Sequence, residues 1–212
     1  MANHVVSGQL VPDAVSGHVA LEIANTRASW GSENPREYLV SYDALAVWAG
    51  DVGLMTAYEV RTLRSRARRA PAEADDVVRA AIDLRESWYA VATAAQRGVD
   101  VPTLHLEVVG EHAARAAAAS RLVAHEDGRV LPDGGSVPRS GLRLPVDRAA
   151  QAAAEMLAVG DHRHAGACPG RGCGWLFFDP AHRRHWCIMA ICGNRAKARA
   201  FAERRRAAAG LP

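Results

Sequence analysis

"CPGRGCGWLFFDPAHRRHWCIMAICGNRAKAR", residues 168–199, holds all four cysteines of a 212-residue chain whose first 167 positions contain none. Cys168 and Cys173 are separated by four residues, as are Cys187 and Cys192. Two short-range pairs of thiolates can close a tetrahedral zinc shell, with Zn–S bonds of about 2.3 Å. Pro169, Gly170, Gly172 and Gly174 supply the turn chemistry that lets the first pair present two sulfurs from one short segment. "GWLFFD" (174–179) reads as a short buried strand, and "CGNRAKARAFAERRRAAAG" (192–210) as a helix whose first turn carries the last ligand. Knuckle, hairpin, then helix is the treble-clef order. Four protein ligands leave no open position for water, so a structural rather than catalytic Zn2+ is expected. Binding free energy of such sites, on the order of 10–16 kcal/mol, goes into folding, which suits a segment of roughly 50 residues. His182 and His185 lie inside the loop and are read as ordinary side chains.

The composition sets the frame around this cluster. Apolar residues make up 49% of the chain and charged residues 23%, as in a soluble globular protein. No window approaches the roughly 18 unbroken apolar residues of a membrane span, and "MANHVVSGQLVPDAVSGHVAL" lacks the form of a secretory signal. A cytoplasmic protein is expected. Clustered cysteines in a reducing compartment are more often metal ligands or redox groups than disulfides. The net charge of +3 is unevenly placed. Residues 161–212 carry ten basic side chains against three acidic ones, and the first 160 carry 16 against 20. A basic end on a mildly acidic body suits a polyanion partner, and equally a solvated helix. The composition shift near residue 160 divides the chain into 1–160 and 161–212.

The first part reads as mostly helical with a small sheet, an α+β arrangement. Ser41–Asp43 start one helix; another lies in "TAYEVRTLRSRARR". A long one in "EADDVVRAAIDLRESWYAVATAAQRG" carries Val78, Ile82, Trp88 and Val91 at helical spacing, with Pro71 before it and Gly98 closing it. "PTLHLEVVGEHAARAAAASRLVA" reads equally as a strand at Leu104–Val108 or as one helix containing Gly110. "LVAHEDGRVLP" has hairpin form around Asp127-Gly128, "PDGGSVPRSG" (132–141) reads as a loop, and a helix over 145–160 has Asp147 as its candidate cap.

"CxxxxCGWLFFD…HWCIMAICGNRAKAR" resembles the CGNR zinc-finger family, named for Cys192-Gly193-Asn194-Arg195. "ALEIANT" (20–26), "LVSYDALAVWAGDVGL" and "IDLRES" resemble segments of the ABATE domain that precedes the finger in these bacterial proteins. One departure is His185, where relatives commonly carry arginine. The resemblance implies a stress-induced transcription regulator with an N-terminal domain that senses a small ligand. Asn25, Thr26, Arg27 and Arg85 match or adjoin its motifs and are candidate ligand-binding residues, each with a structural reading beside it.

On a helix starting near Cys192, Arg195, Arg199 and Arg206 fall within about 40° of one another, at roughly 100° per residue. Lys197 and Arg204 point elsewhere, near Phe201. Arginine forks suit phosphates and guanine edges. The candidate DNA-contacting residues are therefore Arg195, Lys197, Arg199, Arg204, Arg205 and Arg206. Arg195, three residues from a ligand, has a second reading as the neutraliser of the zinc–thiolate charge, and Asn194 is read as a cap or as a hydrogen-bonding residue within the knuckle. No Walker loop, Rossmann fingerprint or HExxH occurs, so a binding protein rather than an enzyme is expected. One finger covers little DNA, which favours a homodimer. The alternatives left open are a zinc-scaffolded protein-interaction module, a thiol redox sensor, and an RNA binder with Trp175 exposed for stacking.

Overall fold

The computed structural model describes residues 2–208, apart from the Ala207 side chain. The first elements form a hairpin absent from the sequence-based expectations: β1 (Asn3–Val6) pairs antiparallel with β2 (Gln9–Pro12). Ser7 and Gly8 form its turn, both with positive φ, the conformation that two-residue hairpin turns select. "GHVALEIANT" becomes one turn of helix, α1 (Val19–Glu22), then a 3-10 turn over Ala24–Thr26. Two-residue strands β3 (Arg27–Ala28) and β4 (Arg36–Glu37) follow.

The helical part begins at α2 (Tyr42–Asp51), where the Ser41 hydroxyl accepts from the Ala44 amide as expected of a cap. Helix α3 (Ala57–Ala67) opens with a reciprocal capping box between Thr56 and Glu59. Pro71 begins α4 (Pro71–Arg97), and Gly98, left-handed at φ 63°, ends it. The ambiguous segment is one helix, α5 (Thr103–Ala119). Its buried residues, Val109, His112 and Ala116, recur at helical spacing, while Gly110 faces open space and costs no packing. The hairpin around Asp127-Gly128 forms from β5 (Leu122–Ala124) and β6 (Val130–Pro132). The expected loop contains a single turn, α6 (Val137–Ser140).

Helix α7 (Leu144–Ala158) starts one residue earlier than expected, with Pro145 in its first turn. Asp147 is not its cap: it lies inside the helix, buried, with Arg143 3.5 Å away. A 3-10 turn over Gly141–Arg143 takes over the entry to the helix. Helices α2, α4 and α7 enclose the main core, around Leu45, Trp48, Leu84, Trp88, Leu144 and Met156. The last elements are β7 (Ala165–Ala167), β8 (Leu176–Phe178) and α8 (Asn194–Ala208), with a π-helical turn over Met189–Gly193 leading into α8. Residues 209–210 of the expected helix lie outside the described residues. Among the described residues, no helix is long and apolar enough to cross a membrane.

The second core holds the four cysteines. Their neighbours in it include Ala2, Ala28 and Tyr38 from the N-terminal part, with Trp175 and Phe177 beside them. The finger therefore shares its core with the larger domain.

Candidate metal centre and basic helix

Strands β7 and β8 pair antiparallel, with Ala167 opposite Leu176, and Cys168 and Cys173 sit in the knuckle between them. The knuckle is thus the tip of the hairpin. The Cys168 amide donates to the Trp175 carbonyl (2.8 Å) and the Cys173 amide to the Gly170 carbonyl (2.7 Å). A Cβ at Gly170 would lie 3.1 Å from the Cys192 sulfur and 3.4 Å from that of Cys168, so any larger residue would press on the cluster. On the far side of the loop, the Asp179 carboxylate accepts from the amides of Arg183 and Arg184. The Arg184 guanidinium then donates to the carbonyls of Val15, Ser16 and Cys187 and lies over the Phe177 ring. Those bonds place Cys187 over the first pair.

The four sulfurs lie within 4.8 Å of one another, with Cys173–Cys187 and Cys187–Cys192 each at 3.7 Å. A disulfide needs about 2.05 Å, whereas the edge of a tetrahedron with 2.3 Å Zn–S bonds is about 3.8 Å. The donor set and its spacing fit zinc. Without a metal the four sulfurs do not ionise together. Hydrogen bonds from Cys173 and Cys187 hold the Cys168 thiol well below its ordinary value. Cys173 is pushed up to about 12 by its hydrogen bond to Cys168, and Cys187 is raised by its bonds to both. Without a metal one sulfur ionises at the expense of its neighbours; four thiolates need the ion. All four cysteines are buried. His182 and His185 are exposed, and among the described residues no other group of histidine, cysteine and carboxylate side chains has ligand geometry.

The candidate ligand-binding residues of the N-terminal part are each held by partners within the protein. Asn25 is fully buried, and its side-chain amide brackets Leu176 of β8, donating to the carbonyl (3.0 Å) and accepting from the amide (2.7 Å). Thr26 donates to the Ile23 carbonyl. Arg85, also buried, reaches Thr26, forms a two-pronged pair with Glu37 (2.6 and 2.7 Å) and contacts Glu86. Arg27 pairs with Glu86 and lies over the Trp30 ring. Trp30 stacks on Tyr89 at 3.6 Å, and the Tyr89 hydroxyl donates to the Gly174 carbonyl. Trp175 Nε1 donates to the Arg27 carbonyl and the Trp30 amide to that of Cys173. Trp175 is buried, so it offers no face for a base to stack on.

Helix α8 carries Arg195, Lys197, Arg199, Arg204, Arg205 and Arg206 against the single acid Glu203. All are exposed except the half-buried Arg199. Eight arginines of the larger domain pair with carboxylates: Arg27, Arg64, Arg79, Arg85, Arg129, Arg139, Arg143 and Arg148. Among the described residues, no basic side chain of α8 does; Arg205 merely overlies Phe201 at 6.0 Å.

Comparison with known families resolves the architecture. The family model of ABATE, described as "Putative stress-induced transcription regulator", matches residues 17–160, about two thirds of the chain. The chain belongs to the ABATE family. The CGNR zinc-finger model matches residues 164–205, in the expected order. No curated relative matches.

In the CGNR finger each residue of the motif has a distinct task. Cys192 supplies the fourth sulfur of the cluster whose spacing fits zinc. Gly193 lies against Met189 and Trp186, where any Cβ would strike the Met189 sulfur. Asn194 Nδ2 donates to the Ala190 carbonyl (3.0 Å), a bond back into the π turn rather than a cap on α8. Arg195 turns into a cleft beside the cysteines, which Arg199 and Arg171 also line.

Proposed function

We propose that this ABATE–CGNR protein regulates transcription by binding duplex DNA through α8. The observation that carries the reading is the contrast in pairing: eight of the sixteen arginines of the ABATE domain are matched by carboxylates, and among the described residues none of the six cations of α8 is. A polyanion supplies the missing counter-charge, and release of its condensed cations drives binding. The ABATE domain acts as the sensor for a small ligand. What supports this is a groove of about 470 Å³ lined by Trp30, Tyr89 and Arg97 on one side and by Pro169, Gly172 and Cys173 on the other. An occupant there touches both parts at once. The reading assigns no catalysis, places the protein with its DNA in the cytoplasm, and expects a second copy to supply a second finger. Burial of the cysteines disfavours a redox sensor, which needs exposed thiolates.

The test is fluorescence anisotropy of the zinc-loaded protein on duplex DNA across a salt series. Neutralising about five phosphates gives a log–log slope of about −4 to −5. A variant with Arg199, Arg204, Arg205 and Arg206 changed to alanine is expected to flatten it. Absence of duplex binding at low salt would instead make α8 the docking helix for an acidic protein.

A further inference from the structure

Arg171 belongs to the knuckle, 24 positions before Arg195, and nothing in its local sequence links it to the basic helix. In the folded chain it lines the same cleft as Arg195 and Arg199, together with Ile188, Ile191 and Ala2. The placement follows from its neighbours. Gly170 passes so near the cysteines that an added Cβ would lie 3.1 Å from the Cys192 sulfur, and Gly172 takes a left-handed φ of 68° with open space around it. Between these two glycines the chain turns sharply, and the only side chain at the tip is Arg171, exposed.

Three guanidinium groups converge on one cleft, and none has a carboxylate, carbonyl or aromatic partner among the described residues. Arg195 and Arg199, at i and i+4, repel each other by themselves. A zinc–tetrathiolate centre has a formal charge of −2, which offsets only part of the three positive charges beside it. One further negative charge completes the balance. A singly charged phosphodiester matches it, and its two free oxygens suit guanidinium forks.

We infer that Arg171, Arg195 and Arg199 form a single phosphate-binding cleft, in which the zinc centre holds the knuckle arginine in register with the two on the helix. The inference rests on the DNA reading above and deepens it: the interface is composite, part knuckle and part α8. The arginines stand beside the metal position, because three of the four clustered cysteines, Cys173, Cys187 and Cys192, line the same cleft.

The experiment compares Arg171→Ala with Arg183→Ala in the full zinc-loaded chain. Arg183 is an exposed cation of the finger that does not line the cleft, so it removes the same net charge elsewhere. Duplex affinity is read across a salt series, and bound zinc is counted by a colorimetric chelator. Arg171→Ala is expected to bind roughly fivefold to tenfold more weakly at about 0.1 M salt and to lower the magnitude of the slope by about one. Arg183→Ala is expected to stay close to wild type, and both to retain one zinc. Equal losses in the two variants would overturn the cleft, since net charge alone would then be acting. Loss of zinc from Arg171→Ala would overturn it as well, making Arg171 a partner of the thiolates. Displacement of duplex by micromolar inorganic phosphate at matched ionic strength would reassign the cleft to a free anion and overturn the duplex contact. Wild type that binds no duplex overturns the DNA reading together with the cleft, whereas loss confined to the α8 variant overturns the cleft alone.

Discussion

At the scale of single residues, two of the positions that join the ABATE domain to the finger, Asn25 and Gly174, carry separable costs. Asn25 is the more consequential, since it occupies both polar groups of a buried β8 residue, 151 positions away. Asn25→Ala leaves an amide and a carbonyl of Leu176 buried without partners. A loss of about 2–5 kcal/mol is expected from urea denaturation. Gly174 is the second. It has φ 69°, and a Cβ there would lie 2.7 Å from the Trp30 Cβ, whereas Gly172 has nearly the same φ with nothing within 4 Å. Gly172→Ala is therefore expected to cost only the left-handed backbone penalty, about 1–2 kcal/mol. Gly174→Ala adds a steric clash and should have the lower urea midpoint; equal midpoints would show that Trp30 yields freely. The glycines were legible as turn-formers in the sequence. Which of them touches another element was not, because the contact joins residues 144 positions apart.

At the scale of elements, local signals were read well where they needed no partner. The Ser41 cap, the Pro71 start and the Gly98 stop are properties of a few adjacent residues. Helix α5 was undecided because its periodicity matters only once α4 and α7 are there to receive Val109, His112 and Ala116. Asp147 was misread for the same reason: a buried acid inside a helix looks, in sequence, like an acid at its start. The β5–β6 hairpin has its own anchor. Asp133 accepts from the amides of Arg121 and Gly135 and from the Ser120 hydroxyl, and pairs with Arg139. These bonds, the Arg121 amide foremost, hold its carboxyl well below the ordinary carboxylate range. A depressed folded-state value stabilises the fold above the unfolded value of about 3.9 and loses that contribution as pH falls. The stability difference between wild type and Asp133→Asn, from urea titrations, is expected to be constant from pH 5 to 8 and to shrink below pH 4.

At the scale of the whole molecule, the finger is no appended bead. It shares a core with Ala2, Ala28 and Tyr38, and its hairpin bonds to Asn25, Arg27, Tyr89 and Gln96. Zinc binding energy thus supports the ABATE domain too. Chelation at neutral pH is expected to lower the melting temperature by on the order of 10 °C or more, with far-UV and near-UV dichroism moving together. A finger that melts alone, leaving the α4 transition unchanged, would contradict the shared core. Acid acts in the same direction as chelation: Cys173, pushed up to about 12 without metal, and the raised Cys187 bind protons in competition with zinc. Apparent zinc affinity is therefore expected to fall from pH 8 to pH 6.5 in a chelator competition.

The residues alone sufficed for the zinc ligands, the order of the two parts, and the basic helix. Each of these rests on spacing within about 25 positions, where chain connectivity already limits the geometry. Folding alone decided that Asn25 and Arg85 hold buried partners, that Trp175 is core rather than a stacking face, and that Arg171 joins the arginines of α8. Those outcomes depend on which distant surfaces exclude water together, a property of the packed molecule that no local pattern encodes.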